Sequence, residues 1–430
     1  MSKENLGNPP EVNFSTKATV HKREYKLITP LFGGGVEPGW ADPINIIRAS
    51  EVRGHLRFWW RATQLHRFAS IKDMAAEESK IWGSNEVPSE VKLLVKIVKF
   101  DQRGTKAAYT IRPGRNGGRN QPQASDQVIP YAAFPLQPES SELDDLNWKS
   151  EPVLKDVTFT LEMEYPEKYK SEIEDALWAW ETFGGIGART RRGFGALECL
   201  SIDGIEKILS TPENLKNEIE SKLENFVIKT PFNDGTPHLS IRTQFRLTAK
   251  KNSAFDAWKY LINQYQSFRQ SRIRPRGRSN WPEPVVIRRK FGRWTPLHAP
   301  VPTVPDKMPR AKFGLPILFH FSKHEYPDVT LQGQLKTTDD PGIDRMASPL
   351  ILRPIACKDG NIEVAVGMAL ILEWTPIRVG QEAYTPPGGL FLDNGLGQVF
   401  SDLTSSEVSS FEPMNATGQT DPLKAFLMNL

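Results

Sequence analysis

Three arginines, Arg53, Arg57 and Arg61, recur at every fourth position of SEVRGHLRFWWR (residues 50–61), beside Trp59 and Trp60. Four residues advance an α-helix by about 6 Å, a spacing suited to successive phosphates of one nucleic-acid strand. The forked guanidinium group matches phosphate oxygens better than a point charge does. Surface helices commonly pair arginines with acids one turn away, yet residues 48–67 hold Arg48, Arg53, Arg57, Arg61 and Arg67 against the single acid Glu51. Val52, Leu56, Trp59, Trp60 and Thr63 form a second, apolar stripe, so a helix predicted over 50–69 offers one face to a core and another to an anion. A solvated face on an ordinary amphipathic helix is the simpler alternative.

A second basic cluster is TFGGIGARTRRGFG at 182–195, where Arg189, Arg191 and Arg192 lie among Gly184, Gly185, Gly187, Gly193 and Gly195. It follows a helical pattern and enters a strand. Dinucleotide and phosphate loops run the other way, from strand to helix, so this is not one of them. Glycines that allow close backbone approach, interleaved with arginines, suit a loop clasping a sugar-phosphate backbone. The alternative is a tight turn with solvated arginines. A third cluster, 272–293, places Arg272, Arg274, Arg276, Arg278, Arg288, Arg289, Lys290 and Arg293 near Trp281, Phe291 and Trp294. Charge mixed with stacking faces is the composition expected of a site for single-stranded nucleic acid; a merely soluble basic loop would look similar. LFGGGVEPGW at 31–40 is a further glycine cluster, without phosphate-loop spacing.

Residues for catalysis are sparse. His320 and His324 are four apart but fall in a strand-like, Pro-rich region rather than on a helix, which argues against a metal pair. No carboxylate cluster has metal-ligand spacing, no nucleophile elbow is present, and no motif calls for a cofactor. Asp42, in the loop before the basic helix, is the one acid placed to act on a strand held there, although a loop aspartate before a helix is more often structural. His55 and His66 are the histidines placed for general-base work beside the basic helix, and helix packing explains them equally well.

The chain has 430 residues, is 39% hydrophobic and 10% aromatic, and carries a formal charge of +4. A sizeable core is expected, with positive charge gathered locally rather than spread. Cys199 and Cys357 are too few for a disulfide framework or a thiolate metal site. The first residues lack the apolar stretch of a secretion signal, and the run VAVGMALILEW at 364–374 is short for a membrane span. These features predict a cytoplasmic protein.

The elements that must position the clusters follow from periodicity. Strands are predicted at 18–28, 91–99, 157–165 and 194–202, with helices at 50–69 and 171–183. Strand–helix–strand twice over is the split βαβ order of a ferredoxin-like domain. This gives an α+β chain with a first domain over 1–205, interrupted by a Gly/Pro/Arg-rich insertion at about 101–150 that lacks periodicity. A charged helical linker follows at 206–235. A second domain over 236–430 has a strand at 238–248, a helix at 254–270 and strands at 314–321, 349–357 and 361–374. Its 272–293 segment reads as irregular and its tail as weakly patterned.

ITPLFGGG, IRASEVRGHLRFWWRA, YAAFPL (131–136), TFGGIGARTRRGFG, GRSNWPEPVVIRR (277–289) and SPLILRPI (348–355), in this order, resemble the family of the first subunit of the Cmr effector complex. That complex is the type III-B CRISPR machinery built from RAMP-superfamily proteins. The resemblance spans residues 27 to 356 and implies two tandem ferredoxin-like, RRM-like domains. It implies a non-catalytic RNA-binding subunit in antiviral defence, whose partners are the guide RNA (crRNA) near its 3′ end, single-stranded target RNA and the other Cmr subunits. The implied RNA contacts are Arg48, Arg53, His55, Arg57, Arg61, Gly185, Gly187, Arg189, Arg191, Arg192, Arg274, Arg276, Arg278, Arg288 and Arg289, with Trp59 and Trp60 fixing the helix on its sheet. Related backbone subunits cut target RNA with an aspartate after the first strand, which makes a metal-dependent nuclease using Asp42 the alternative. A histidine-dependent guide-processing ribonuclease is a further one.

Overall fold

The computed structural model describes residues 20–35, 39–42, 44–101, 105–227, 236–272, 278–294, 304–321, 326–333, 345–373, 378–379, 382–383 and 390–430. They fall into two compact units. The first holds the described residues up to Thr211 together with Ile355–Lys358, and the second holds the remainder.

The first unit begins with β1 (Val20–Leu27), α1 (Ala49–Gln64), α2 (Ile71–Trp82) and β2 (Lys92–Lys99). The short strands β3 (Lys106–Ala107), β4 (Tyr109–Arg112), β5 (Gln121–Ala124) and β6 (Pro152–Val153) follow. It closes with β7 (Thr158–Glu164), α3 (Lys170–Phe183), β8 (Leu197–Ile202) and β9 (Ile205–Glu206). The main sheet has the order β2-β7-β1-β8-β9 and every pairing is antiparallel. Tyr25 of β1 stands opposite Phe159 on one side and Cys199 on the other.

Alternation along β1 sends Arg23, Tyr25 and Leu27 to the buried face, where the Trp180 ring of α3 meets Tyr25 edge-on at 5.3 Å. Lys22, Lys26, Lys92 and Lys96 instead pair with Glu162, Glu198 and Glu164. That side of the sheet is thus a lattice of charge pairs, not a platform of stacking rings. On the buried side, the Arg23 guanidinium donates to Glu181 at 2.6 Å and also to Glu174. Tyr25 Oη and Lys207 Nζ donate to the same Glu181 carboxylate at 2.9 and 2.8 Å. Burial would raise that carboxyl, but Lys207 and Arg23 overcome it and hold it below its ordinary value.

One expectation is corrected here, and the aperiodic insertion is found to carry short strands. Helix α1 stops at Gln64, passes through a single 3-10 turn at Leu65–Arg67, and gives way to α2, which periodicity did not reveal. Ser70 caps α2 by accepting the Asp73 N–H at 3.2 Å. The 101–150 insertion is not structureless. β3 pairs with β6 and β4 with β5, over a small core of Tyr109, Val128, Ile129, Ala132 and Leu136. Strands of two to four residues are too short to show a period.

The second unit contains α4 (Pro212–Leu223), β10 (Gln244–Leu247), α5 (Ala254–Arg269), α6 (Glu283–Phe291), β11 (Ile317–Phe319) and β12 (Val329–Gln332). β13 (Leu350–Asp359, of which Ile355–Lys358 are counted with the first unit), β14 (Ile362–Ile371), β15 (Arg378–Val379), β16 (Glu382–Ala383), β17 (Leu390–Leu392), β18 (Gly397–Val399), α7 (Ser405–Val408) and α8 (Pro422–Met428) complete it. Its sheets are β10-β14-β13 and β11-β12-β17-β18, with a β15–β16 hairpin. The segment expected to be irregular at 272–293 carries α6, because Pro284 sits in the first turn, where a missing N–H is harmless. Its Val286 and Ile287 join a core with Val329, Leu331, Leu390, Leu392 and Val399. The last two of these strands come from the stretch read as weakly patterned. Among the described residues, no helix is long and apolar enough to cross a membrane.

Candidate nucleic-acid interface

The two glycine clusters of the first unit meet. The loop between α3 and β8 is laced to the segment after β1. Ala188 N–H donates to Phe32 O at 2.7 Å and Gly195 N–H to Pro30 O at 2.8 Å. Thr29 Oγ1 donates to Gly193 O at 2.6 Å and accepts the Ala196 N–H at 2.8 Å. Within the loop, Ile186 N–H donates to Gly195 O at 2.9 Å, and Trp180 Nε1 donates to Gly185 O at 2.9 Å. Glycine is required at two of these crossings. Gly187 has φ +81° and a Cβ there would stand 2.6 Å from Phe32 O, while a Cβ on Gly195, at φ +59°, would overlap the Ile186 carbonyl.

This clasp presents a 3-10 turn, Thr190–Arg192, preceded by Arg189 in the left-handed region at φ +55°. Arg189, Arg191 and Arg192 are all partly exposed. The Arg191 guanidinium lies over the Phe58 ring of α1, 5.6 Å from its centroid. Burial, with Arg192 adding like charge, pulls Arg191 down to about 10. An anion bound here would relieve that repulsion.

Helix α1 joins the clasp through its first turn. Glu51 accepts the Gly187 N–H at 2.7 Å, and His55 Nε2 stands 3.9 Å from the same carboxylate oxygen. The other oxygen, Oε2, is buried and accepts no hydrogen bond among the described residues. Arg48 donates to Gly34 O and, at 3.0 Å, to Gly35 O, tying the 33–35 turn to the helix start. Asp42 lies in a turn of its own, with Oδ1 accepting the Ile44 and Asn45 N–H groups at 2.8 Å each. Those N–H groups, Asn45 first, hold its carboxyl below the ordinary range.

The arginine stripe is not uncompensated, as composition suggested. Arg57 Nε and Arg61 Nη1 both donate to Glu78 Oε1 of α2, at 2.8 and 2.6 Å. Arg53 donates to Ser89 Oγ at 2.6 Å, Val91 O at 3.1 Å and Trp82 O at 3.3 Å. The missing acid was 17 to 21 positions downstream, on the helix that sequence reading overlooked. The capping serine and the Ile71, Met74, Ile81 and Trp82 spacing were the signal for it. The tryptophans are core residues: Trp60 donates to Glu172 of α3 at 2.8 Å and Trp59 packs on Phe183 at 5.9 Å. His66 Nδ1 sits 2.8 Å from Thr63 O, and burial depresses its pKa.

The third cluster belongs to the second unit. Arg288 is buried at 7% exposure and stacks over Phe321 and Tyr326. Arg289 donates to Val304 O at 3.0 Å. Arg278 is partly exposed, and Arg274 and Arg276 lie outside the described residues. Trp281, expected as a stacking face, is 1% exposed and donates to Phe268 O at 2.9 Å, so it is core. His320 is exposed and pairs with Asp328 at 2.8 Å; His324 lies outside the described residues. Among the described residues no group of three metal-ligating side chains occurs.

Residues 24–198 match the family model of the RAMP superfamily. The match runs from within β1 to the start of β8 and covers β2, β7, α1, α3 and both glycine clusters. No curated protein matches the sequence. Among solved structures, Cmr1 from Pyrococcus furiosus in its apo form is similar over 87% of this chain and 94% of its own, at 13% identity and a TM-score of 0.49. A chain of the type III-B Cmr-beta complex bound to cognate target RNA is similar over 96% of this chain and 100% of its own, at 12% identity and a TM-score of 0.46.

Proposed function

We propose that this chain is a non-catalytic RNA-binding subunit of a type III-B CRISPR effector complex, holding the 3′ region of the guide RNA and the target RNA beside it. One observation carries the reading: the RAMP-matched region folds its two glycine clusters into one clasp that presents Arg189, Arg191 and Arg192 together. Backbone approach through glycines and charge from arginines is a contact suited to a sugar-phosphate strand. The charged sheet face offers no aromatic platform, so contacts come from loops and helix ends rather than from base stacking. Sequence specificity then lies in base pairing between guide and target.

In this reading Arg57 and Arg61, whose side chains keep about a third of their surface exposed, add phosphate contacts from α1, while Arg53, with both terminal nitrogens used inside the fold, positions α2. Arg48, His55, Gly185 and Gly187 shape the clasp. Arg278 and Arg289, with Arg274 and Arg276, form a second contact region on the other unit. The strand order of the first unit is that of a ferredoxin-like domain, and the second unit is a variant of it, with β10, α5, β13 and β14 in the corresponding places. The partners are guide RNA, target RNA and the other RAMP subunits, and the complex works in the cytoplasm. Incubation of the purified chain with labelled single-stranded RNA and Mg²⁺ tests the non-catalytic part. RNA bound and recovered whole is the expected result; cleavage that disappears in Asp42→Ala would make the chain a nuclease instead.

A further inference from the structure

The β4–β5 hairpin carries three arginines that the fold leaves without an acidic partner among the described residues. Arg112, Arg115 and Arg119 are exposed. Among the described residues, the one side-chain hydrogen bond they make is from Arg112 Nη2 to the neutral Gln121 amide oxygen at 3.0 Å. No carboxylate lies between residues 102 and 125 of the sequence, and among the described residues none of the three arginines has an ion-pair partner. Arg57 and Arg61 of α1 and Arg23 of β1, by contrast, are held by Glu78, Glu174 and Glu181.

The tip is built. Gly114 N–H donates to Asn120 Oδ1 at 3.2 Å, and Asn120 Nδ2 donates to Leu143 O at 2.9 Å, pinning the turn to a neighbouring segment. Gly118 N–H closes on Arg115 O at 3.0 Å. A Cβ at Gly114 would overlap the Gly118 carbonyl, so the turn closes only around glycine. At its base, buried Tyr109 exchanges hydrogen bonds with Ser150 at 2.8 and 3.0 Å and donates through its hydroxyl to Pro130 O at 3.1 Å.

We propose that this hairpin is a second RNA-backbone contact, taking phosphates of a single strand on Arg112, Arg115 and Arg119; the proposal rests on the RNA-binding reading above. The chemistry favours RNA over an acidic protein surface. Protein interfaces centre on buried apolar and aromatic groups, and the hairpin exposes no large hydrophobic side chain between 109 and 124. It offers guanidinium groups, amides and glycine backbone, which is the inventory of a phosphate contact. An ordered tip keeps the arginines in register without an ordering cost on binding.

The test compares the full chain with the Arg112→Gln, Arg115→Gln, Arg119→Gln variant and its triple Lys counterpart, binding a labelled oligouridylate across a salt series. The Gln variant is expected to unfold at the wild-type temperature and to lose affinity on the order of tenfold. Its plot of log affinity against log salt should be shallower by about 2, from roughly 0.7 per phosphate contact on a single strand. The Lys variant should restore the slope. If the Gln variant keeps wild-type affinity and slope while an Arg189, Arg191, Arg192→Gln variant loses them, the hairpin proposal is wrong and the RNA-binding reading stands. If the wild type does not bind the probe, both fall. A Gln variant that keeps RNA but loses retention on polyglutamate assigns the hairpin to an acidic protein surface and overturns the proposal.

Discussion

Glu51 accepts the backbone N–H of Gly187 at 2.7 Å, joining the first turn of α1 to a loop 136 positions downstream. The arginines of that loop are therefore held by a helix whose own arginines face α2. Removing the carboxylate should free Gly187 and loosen Arg189, Arg191 and Arg192 together.

For Glu51→Ala we expect a stability loss of about 1–3 kcal/mol from the unsatisfied N–H and weaker RNA binding. Glu51→Gln, which keeps an acceptor, should lie between Ala and wild type. Thermal unfolding and RNA titration on the same preparations check both.

Gly195→Ala should be more disruptive than its size suggests, because the new methyl group meets the Ile186 carbonyl while φ is held at +59°. We expect a loss of at least about 1–3 kcal/mol, read as a lower midpoint in denaturant. Gly204→Ala, at φ +81° but with open space around its Cβ position, isolates the backbone part of that cost.

Glu78→Ala strands Arg57 and Arg61 on α1. Since both arginines are a third exposed, the expected cost is about 1–2 kcal/mol rather than the larger figure for a fully buried pair. RNA affinity should hold or rise, because the freed guanidinium groups gain reach toward phosphate. A fall in affinity with the fold intact would show that α2 itself carries an RNA contact.

The Arg23–Glu181 pair predicts acid sensitivity. Lys207 and Arg23 outweigh burial and hold Glu181 below its ordinary value of 4.5. Its stabilisation is therefore complete above that value and is lost as pH falls through it toward the folded pKa. A Glu181→Gln variant should start less stable at neutral pH and lose less on acidification below about pH 5. Arg23→Met, which leaves Glu181 without its closest cation, should cost about 3–5 kcal/mol.

How far this could be read from sequence depended on period and range. Strands such as 157–165 and helices such as 171–183 are long enough to show their period, and their order already indicated a mixed helix-and-sheet unit. α2 was missed because KDMAAEESK looks like a charged loop until Ile71, Met74, Ile81 and Trp82 are placed on one face. The compensation of Arg57 and Arg61 was illegible for the same reason, since it depends on a side chain from an unrecognised element. Trp281 looked like a stacking ring beside arginines; only the fold shows Phe268, Phe313 and Phe411 around it. The clasp between Gly33–Gly35 and Gly184–Gly195 was visible as two motifs but not as one place, because nothing local links them.

The most direct measurement is the salt dependence of single-stranded RNA binding by the wild type and by an Arg189→Ala, Arg191→Ala, Arg192→Ala variant with unchanged unfolding temperature. Counterion release predicts an affinity that falls steeply with salt and a slope shallower by about 2 in the variant. Equal slopes and equal affinities would contradict it and leave the loop as a structural turn.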